Sequence, residues 1–251
     1  MSSATSARRR RLTHLIRLML LTSLGLLSAA GCNDFSNRWE LDHTRILAIQ
    51  AGAPSLAATE RTTLRALVVN DDGEVSEMTP VAALVASMDP MVTAAVTVQA
   101  GTWEIIAGNA QAIDAARSKL QVPADQPLVV QIGARFEING ETRDAVKAIR
   151  LGVTGLANPA APSILWDGMP APPSYAPGAK LELAVANPAT DDSLGYQWAT
   201  SLGEVTKSET PVAKVELAAD QAPGKLTAVV IVRDKTGGVA WALSSAEVVA
   251  P

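Results

Sequence analysis

The sequence predicts an all-β fold built as two tandem β-sandwiches. Three observations carry this: period-two alternation in short segments along most of the chain, a charge-free Pro/Gly/Ala stretch near its middle, and a likeness between the two halves. The alternation is clearest at Leu128–Ile138, where Leu128, Val130, Ile132, Ala134, Phe136 and Ile138 fall on one face. Gln131, Arg135 and Glu137 fall on the other, the pattern of a strand with one buried side. Val130 and Ile132 are therefore core candidates. Asn139-Gly140 follows as a tight hairpin turn, with the return strand expected at 144–151.

Further strands are expected at 45–50, 63–69, 92–98 and 101–107 in the first half. In the second they are expected at 181–186, 195–200, 212–217, 225–233 and 238–243. Helix signals are few. Thr79-Pro80 reads as an N-cap and N1 pair opening a short helix over 81–88, and 109–120 can hold another turn or two.

The halves share their order. KLQVPADQ at 119–126 matches KVELAADQ at 214–221, and LRALVVN at 64–70 matches LELAVAN at 181–187. The two offsets differ by 22, which places extra residues in the first copy as an insertion at about 71–118. Between the copies, 153–163 has linker composition. The expected organisation is an address segment (1–31), a short tether (32–41), sandwich 1 (42–152), a linker (153–163) and sandwich 2 (164–251).

The address segment combines Arg8–Arg11 and Arg17 with the apolar run LMLLTSLGLLSAA, ending at Gly31-Cys32. A basic region, an apolar core of about a dozen residues and small residues before a cut site form a secretory signal. The run is short of the roughly 20 apolar residues a membrane-spanning helix needs. Leu27-Ser28-Ala29-Ala30-Gly31-Cys32 resembles the lipobox of bacterial lipoproteins, although Ala29 stands where that family usually has Leu. The resemblance implies cleavage between Gly31 and Cys32, a diacylglyceryl group on the Cys32 sulfur and an acylated amino terminus. The expected location is a bacterial membrane reached through the lipid, the outer membrane in preference to the inner one.

A second resemblance covers about 165–249. Tyr196-Gln197-Trp198, a turn at Ser201–Glu204, Pro223-Gly224, a long strand and Asp234-x-x-Gly237-Gly238 resemble bacterial Ig-like and PKD-like domains. That likeness implies a core position for Trp198 between two sheets.

The lone cysteine among 251 residues excludes a disulfide framework and multi-cysteine metal sites. Formal net charge is −4, but the address segment takes five arginines with it, leaving 16 basic against 25 acidic residues. An acidic surface disfavours nucleic acid as a partner. His43 is the sole histidine after the address segment, and no nucleophile elbow, P-loop or zinc-binding H-E-x-x-H is present. A non-catalytic role without cofactor is expected. Asp71 and Asp72, in Asn70-Asp71-Asp72-Gly73-Glu74, are calcium candidates. They lack EF-hand spacing and read better as a turn, as does Asp191-Asp192. Function is expected to be structural or protein-interacting in the cell envelope, with partner contacts on the insertion. The alternative is a glycan-binding lipoprotein that stacks sugars on Trp166, Tyr175, Tyr196 and Trp241 if these are exposed together, although Trp241, with Trp198, reads rather as a core ring.

Overall fold

The structure is a computed structural model that describes residues 39–250; Gly31 and Cys32 lie outside the described residues. The first half supplies β1 (Arg45–Ala51), β2 (Ser55–Leu56), β3 (Arg61–Thr62), β4 (Leu64–Val69), β5 (Val75–Met78) and β6 (Ala82–Val85). It continues with α1 (Pro90–Ala95), β7 (Val96–Gln99), β8 (Glu104–Ala107), α2 (Ala110–Lys119), β9 (Leu128–Ile138) and β10 (Glu141–Leu151). The second half supplies β11 (Ile164–Trp166), β12 (Lys180–Val185), β13 (Leu194–Thr200), β14 (Glu204–Thr206) and β15 (Val212–Glu216). It ends with β16 (Gly224–Asp234) and β17 (Val239–Val248). Among the described residues the fold is all-β, with two short helices.

β9 occupies the alternating segment, and its burial follows the alternation: Leu128, Val130, Ile132, Ala134, Phe136 and Ile138 are buried. Asn139 and Gly140 take φ of 48° and 83°, and Ile138 pairs with Glu141. A two-residue turn with both residues at positive φ matches the twist of the hairpin it closes. In the first sandwich β1-β4-β5 face β2-β10-β9-β6 across a core that includes Leu64, Val68, Phe136 and Ile149. In the second, β11-β12-β15-β14 face β13-β16-β17 around Trp166, Trp198, Leu183 and Val230.

The segment expected as an insertion is part of the first sandwich. β5 pairs with β4, and β6 pairs with β9, so 71–118 contributes one strand to each of its sheets. The remainder supplies β7 and β8, which join β3 in a small sheet, and two helices that close over the same core through Val92, Ala95, Ile105 and Ile113. The helix expected over 81–88 is β6 instead, and α1 begins at Pro90. Asp89 accepts a hydrogen bond from the Met91 N–H and caps α1, a stronger start than Thr79-Pro80 offers. The strand expected at 92–98 loses its first residues to this helix.

The Ala-Asp-Gln match marks one turn in both halves. The Gln126 N–H donates to the Pro123 carbonyl and the Gln221 N–H to the Ala218 carbonyl, each just before the long strand of its sandwich. Upstream the matched residues diverge, because 119–122 end α2 while 214–217 belong to β15 and the residue after it.

β4 and β16 are each buried on both faces. In β4, Ala66 and Val68 face the first core while Leu67 and Val69 face away from it. In β16, Ala228, Val230 and Val232 face the second core while Val229 and Ile231 face away. These outward residues meet in a third apolar cluster with Leu41, Leu47, Ala199 and Trp241. The sandwiches therefore stack sheet against sheet within the unit that begins at Trp39.

Candidate functional site

The predicted site residues fall at separate places. Asp71 Oδ1 accepts the Thr44 N–H at 2.8 Å and the Thr44 hydroxyl at 2.6 Å. These bonds hold its carboxyl below the usual range. Asn70 Oδ1 accepts the N–H groups of Asp72 and Glu74, which closes the β4–β5 turn. Asp191 likewise accepts the Ser193 N–H. Among the described residues no three His, Cys, Asp or Glu are grouped to hold a metal. His43 is partly exposed, with Nδ1 2.6 Å from Asp42 Oδ1.

The aromatic residues named for sugar stacking form no exposed row. Trp166 and Trp198 are fully buried, and Tyr175, Tyr196 and Trp241 are all but buried. Their polar tips bind inside the protein. Trp198 Nε1 donates to the Thr210 carbonyl, Trp166 Nε1 to Ser244 Oγ, and the Tyr175 hydroxyl to Asp167 Oδ2. Without cysteines to staple the sheets, these large rings fill the core and do not form the expected platform for sugars.

The seam between the sandwiches is more informative. Around its apolar cluster runs a set of polar contacts that crosses from one sandwich to the other. Trp241 Nε1 donates to Glu77 Oε1 at 2.7 Å, while Arg65 Nη1 donates to Glu77 Oε2 at 2.7 Å. The same guanidinium lies 4.9 Å from the Trp241 ring centre, a cation–π contact. Gln50 Nε2 donates to the Val239 carbonyl, and Arg233 Nη2 to the Leu47 carbonyl. Lys147, buried in β10, donates to the Gly237 carbonyl at 2.6 Å. Burial pushes its ammonium down to about 8, helped by Arg233 and Arg150 and opposed by Asp234.

The linker participates. Asn158 Nδ2 donates to the Ala51 carbonyl at 2.8 Å, and its Oδ1 accepts the Val239 N–H at 3.0 Å, so one side chain holds both sandwiches. The tether does so as well. Residues 39–41 lie against the free edge of β13, where the Thr200 N–H donates to the Trp39 carbonyl and the Leu41 N–H to the Thr200 carbonyl. Leu41 is buried in the seam cluster. Its carbonyl oxygen sits 2.7 Å from where a Cβ on Gly73 would stand, and Gly73 has φ +75°. Only glycine fits there on both counts.

Beside the seam lies a cleft of about 1020 Å³. β5 forms one wall, with Asp72 and Glu74 at its turn. Thr227, Leu243 and Ser245 of the second sandwich form the floor. Sequence reasoning missed both seam and cleft. The available signals were the unbroken apolar runs ALVV in β4 and AVVIV in β16, which mark strands covered on both faces.

No protein-family model matches the chain, and neither does any curated protein. Among solved structures it is similar to a nucleoside hydrolase-related hypothetical protein from Saccharophagus degradans associated with carbohydrate metabolism. That match has 18% identity and a TM-score of 0.29, over 38% of this chain and 26% of the other. It is also similar to extracellular cadherin domains 3–6 of protocadherin gamma B2, at 15% identity and a TM-score of 0.26, over 84% and 54% of the two chains. The fibronectin(III)-like modules of Clostridium thermocellum CbhA match at 15% identity and a TM-score of 0.28, over 82% and 93%. The chain thus spans about a quarter of the first of these proteins and about half of the second.

Proposed function

We propose that this chain is an exported bacterial lipoprotein, held to the outer membrane through Cys32, that acts as a non-catalytic protein-interaction module in the cell envelope. The basic and apolar address segment ending at Gly31-Cys32 supports export and lipidation. The observation that carries the interaction role is the seam. Two sandwiches fused by an apolar cluster and a ring of cross-contacts offer a rigid body with a preformed cleft, and a preformed surface spares a partner the cost of ordering it. With the chain docked from Trp39 onward, six residues separate Cys32 from the folded part, a reach of at most about 25 Å. The module works close to the bilayer.

Two measurements test this. A Cys32→Ala variant leaves the membrane fraction if the anchor is lipid; unchanged fractionation rejects the anchor. Photo-crosslinkers placed at Asp72 and Leu243 in the native envelope, read by mass spectrometry, yield a discrete protein adduct. Absence of any adduct rejects the interaction role.

A further inference from the structure

The cleft has an open sheet edge as its wall. β5 is the terminal strand of β1-β4-β5, and among the described residues no strand pairs with its outer side. The Asn70 N–H donates to the Glu74 carbonyl, and antiparallel alternation from that pair turns the backbone groups of Ser76 and Met78 toward β4. The N–H and C=O groups of Val75 and Glu77 therefore point outward, along the cleft. Their side chains cannot shield this edge, because Val75 packs on the seam cluster and Glu77 is held by Trp241 and Arg65. An unpaired edge of this kind is a template for another extended chain.

We infer that the outer edge of β5 accepts an extended basic polypeptide segment as an added strand, laid across the floor formed by Thr227, Leu243 and Ser245. The inference rests on the interaction reading above and names the chemistry of the partner. Main-chain pairing with Val75 and Glu77 supplies affinity, and alternate side chains of the segment meet the floor. Hydroxyls of Thr227 and Ser245, and Leu243 at 41% exposure, suit residues of mixed polarity. Charge selects the partner's sign. Asp72 and Glu74 line the cleft without a cationic partner among the described residues, while Lys225 is the cleft's one cation among its described lining.

The test selects random ten-residue peptides displayed on phage against the full chain purified in detergent. Enriched sequences are expected to carry Lys or Arg and to slow amide exchange at Val75 and Glu77. N-methylation of the bound peptide at alternate residues, which removes main-chain donors and leaves side chains intact, weakens binding at least about tenfold. Leu243→Trp, which fills the floor at an exposed position, weakens it similarly, with the fold checked by circular dichroism. Asp72→Lys shifts the selection away from basic sequences. No enrichment, protection outside β5, or equal affinity of the N-methylated peptide overturns strand addition. Adducts to folded partners in the envelope crosslinking alongside any of these results leave the interaction role standing and remove only this mode.

Discussion

Trp241 and Glu77, 164 residues apart in sequence, meet through an indole N–H that donates to a carboxylate oxygen at 2.7 Å across the seam. Arg65 completes the triangle from the side of the first sandwich. Replacing Trp241 by Phe keeps the apolar body of the ring and removes the donor. A loss of about 1–2 kcal/mol in urea unfolding is expected, with a coupling of about 1 kcal/mol to Glu77→Gln in a double-mutant cycle. Zero coupling means the pair does not join the sandwiches.

Lys147 makes stability depend on alkaline pH. Its folded value of about 8 lies below the ordinary 10.5, so the folded chain releases this proton first. Below pH 8 both states hold the proton, and the burial cost is fully present. Between pH 8 and 10.5 the unfolded state binds more protons, and stability rises with pH. Arg233, Arg150 and Asp234 are the ionisable side chains whose charge bears on the amine. Thermal melts of Lys147→Met are expected to lack the wild-type rise between pH 8 and 10; parallel pH profiles for the two proteins contradict it.

Asn158 decides whether 153–163 behaves as a hinge. Asn158→Ala removes its bonds to Ala51 and to the Val239 N–H and exposes the stretch to protease. A stability loss of about 1–3 kcal/mol is expected, with faster cleavage between the sandwiches. Cleavage at the wild-type rate shows that the remaining seam contacts suffice.

Leu41 tests the docked tether. It is 2% exposed, so Leu41→Ala should cost about 2–5 kcal/mol. Gly73→Ala, which drives a methyl toward the Leu41 carbonyl, should release the same segment, seen as faster amide exchange at Leu41. Unchanged exchange at Leu41 in Gly73→Ala places the strain elsewhere.

The local architecture was legible in the sequence where one face of a strand meets solvent. β9 and its Asn139-Gly140 turn follow from alternation and turn chemistry alone. β4 and β16 hid the seam because strands covered on both sides lose the alternation that assigns their faces. The helix start shifted from Thr79 to Asp89 because Asp89-Pro90 offers the same cap-and-proline pair with the stronger capping side chain. The sugar-stacking candidates misled because composition counts rings without saying which are buried; Trp166 and Tyr175 pack against each other in the second core. The cleft was beyond reach, since β5 and β17 come together only through the packing of two sheets.

The docking of residues 39–41 on Thr200 fixes where tension enters the molecule. A pull applied on the N-terminal side of Trp39, as the proposed lipid anchor would apply it, reaches the hydrogen bonds at Thr200 and the buried Leu41 before it reaches β1. Under such a pull the clip between residues 39–41 and β13 is expected to open before either sandwich unfolds, so that its rupture would lengthen the tether and spare the fold.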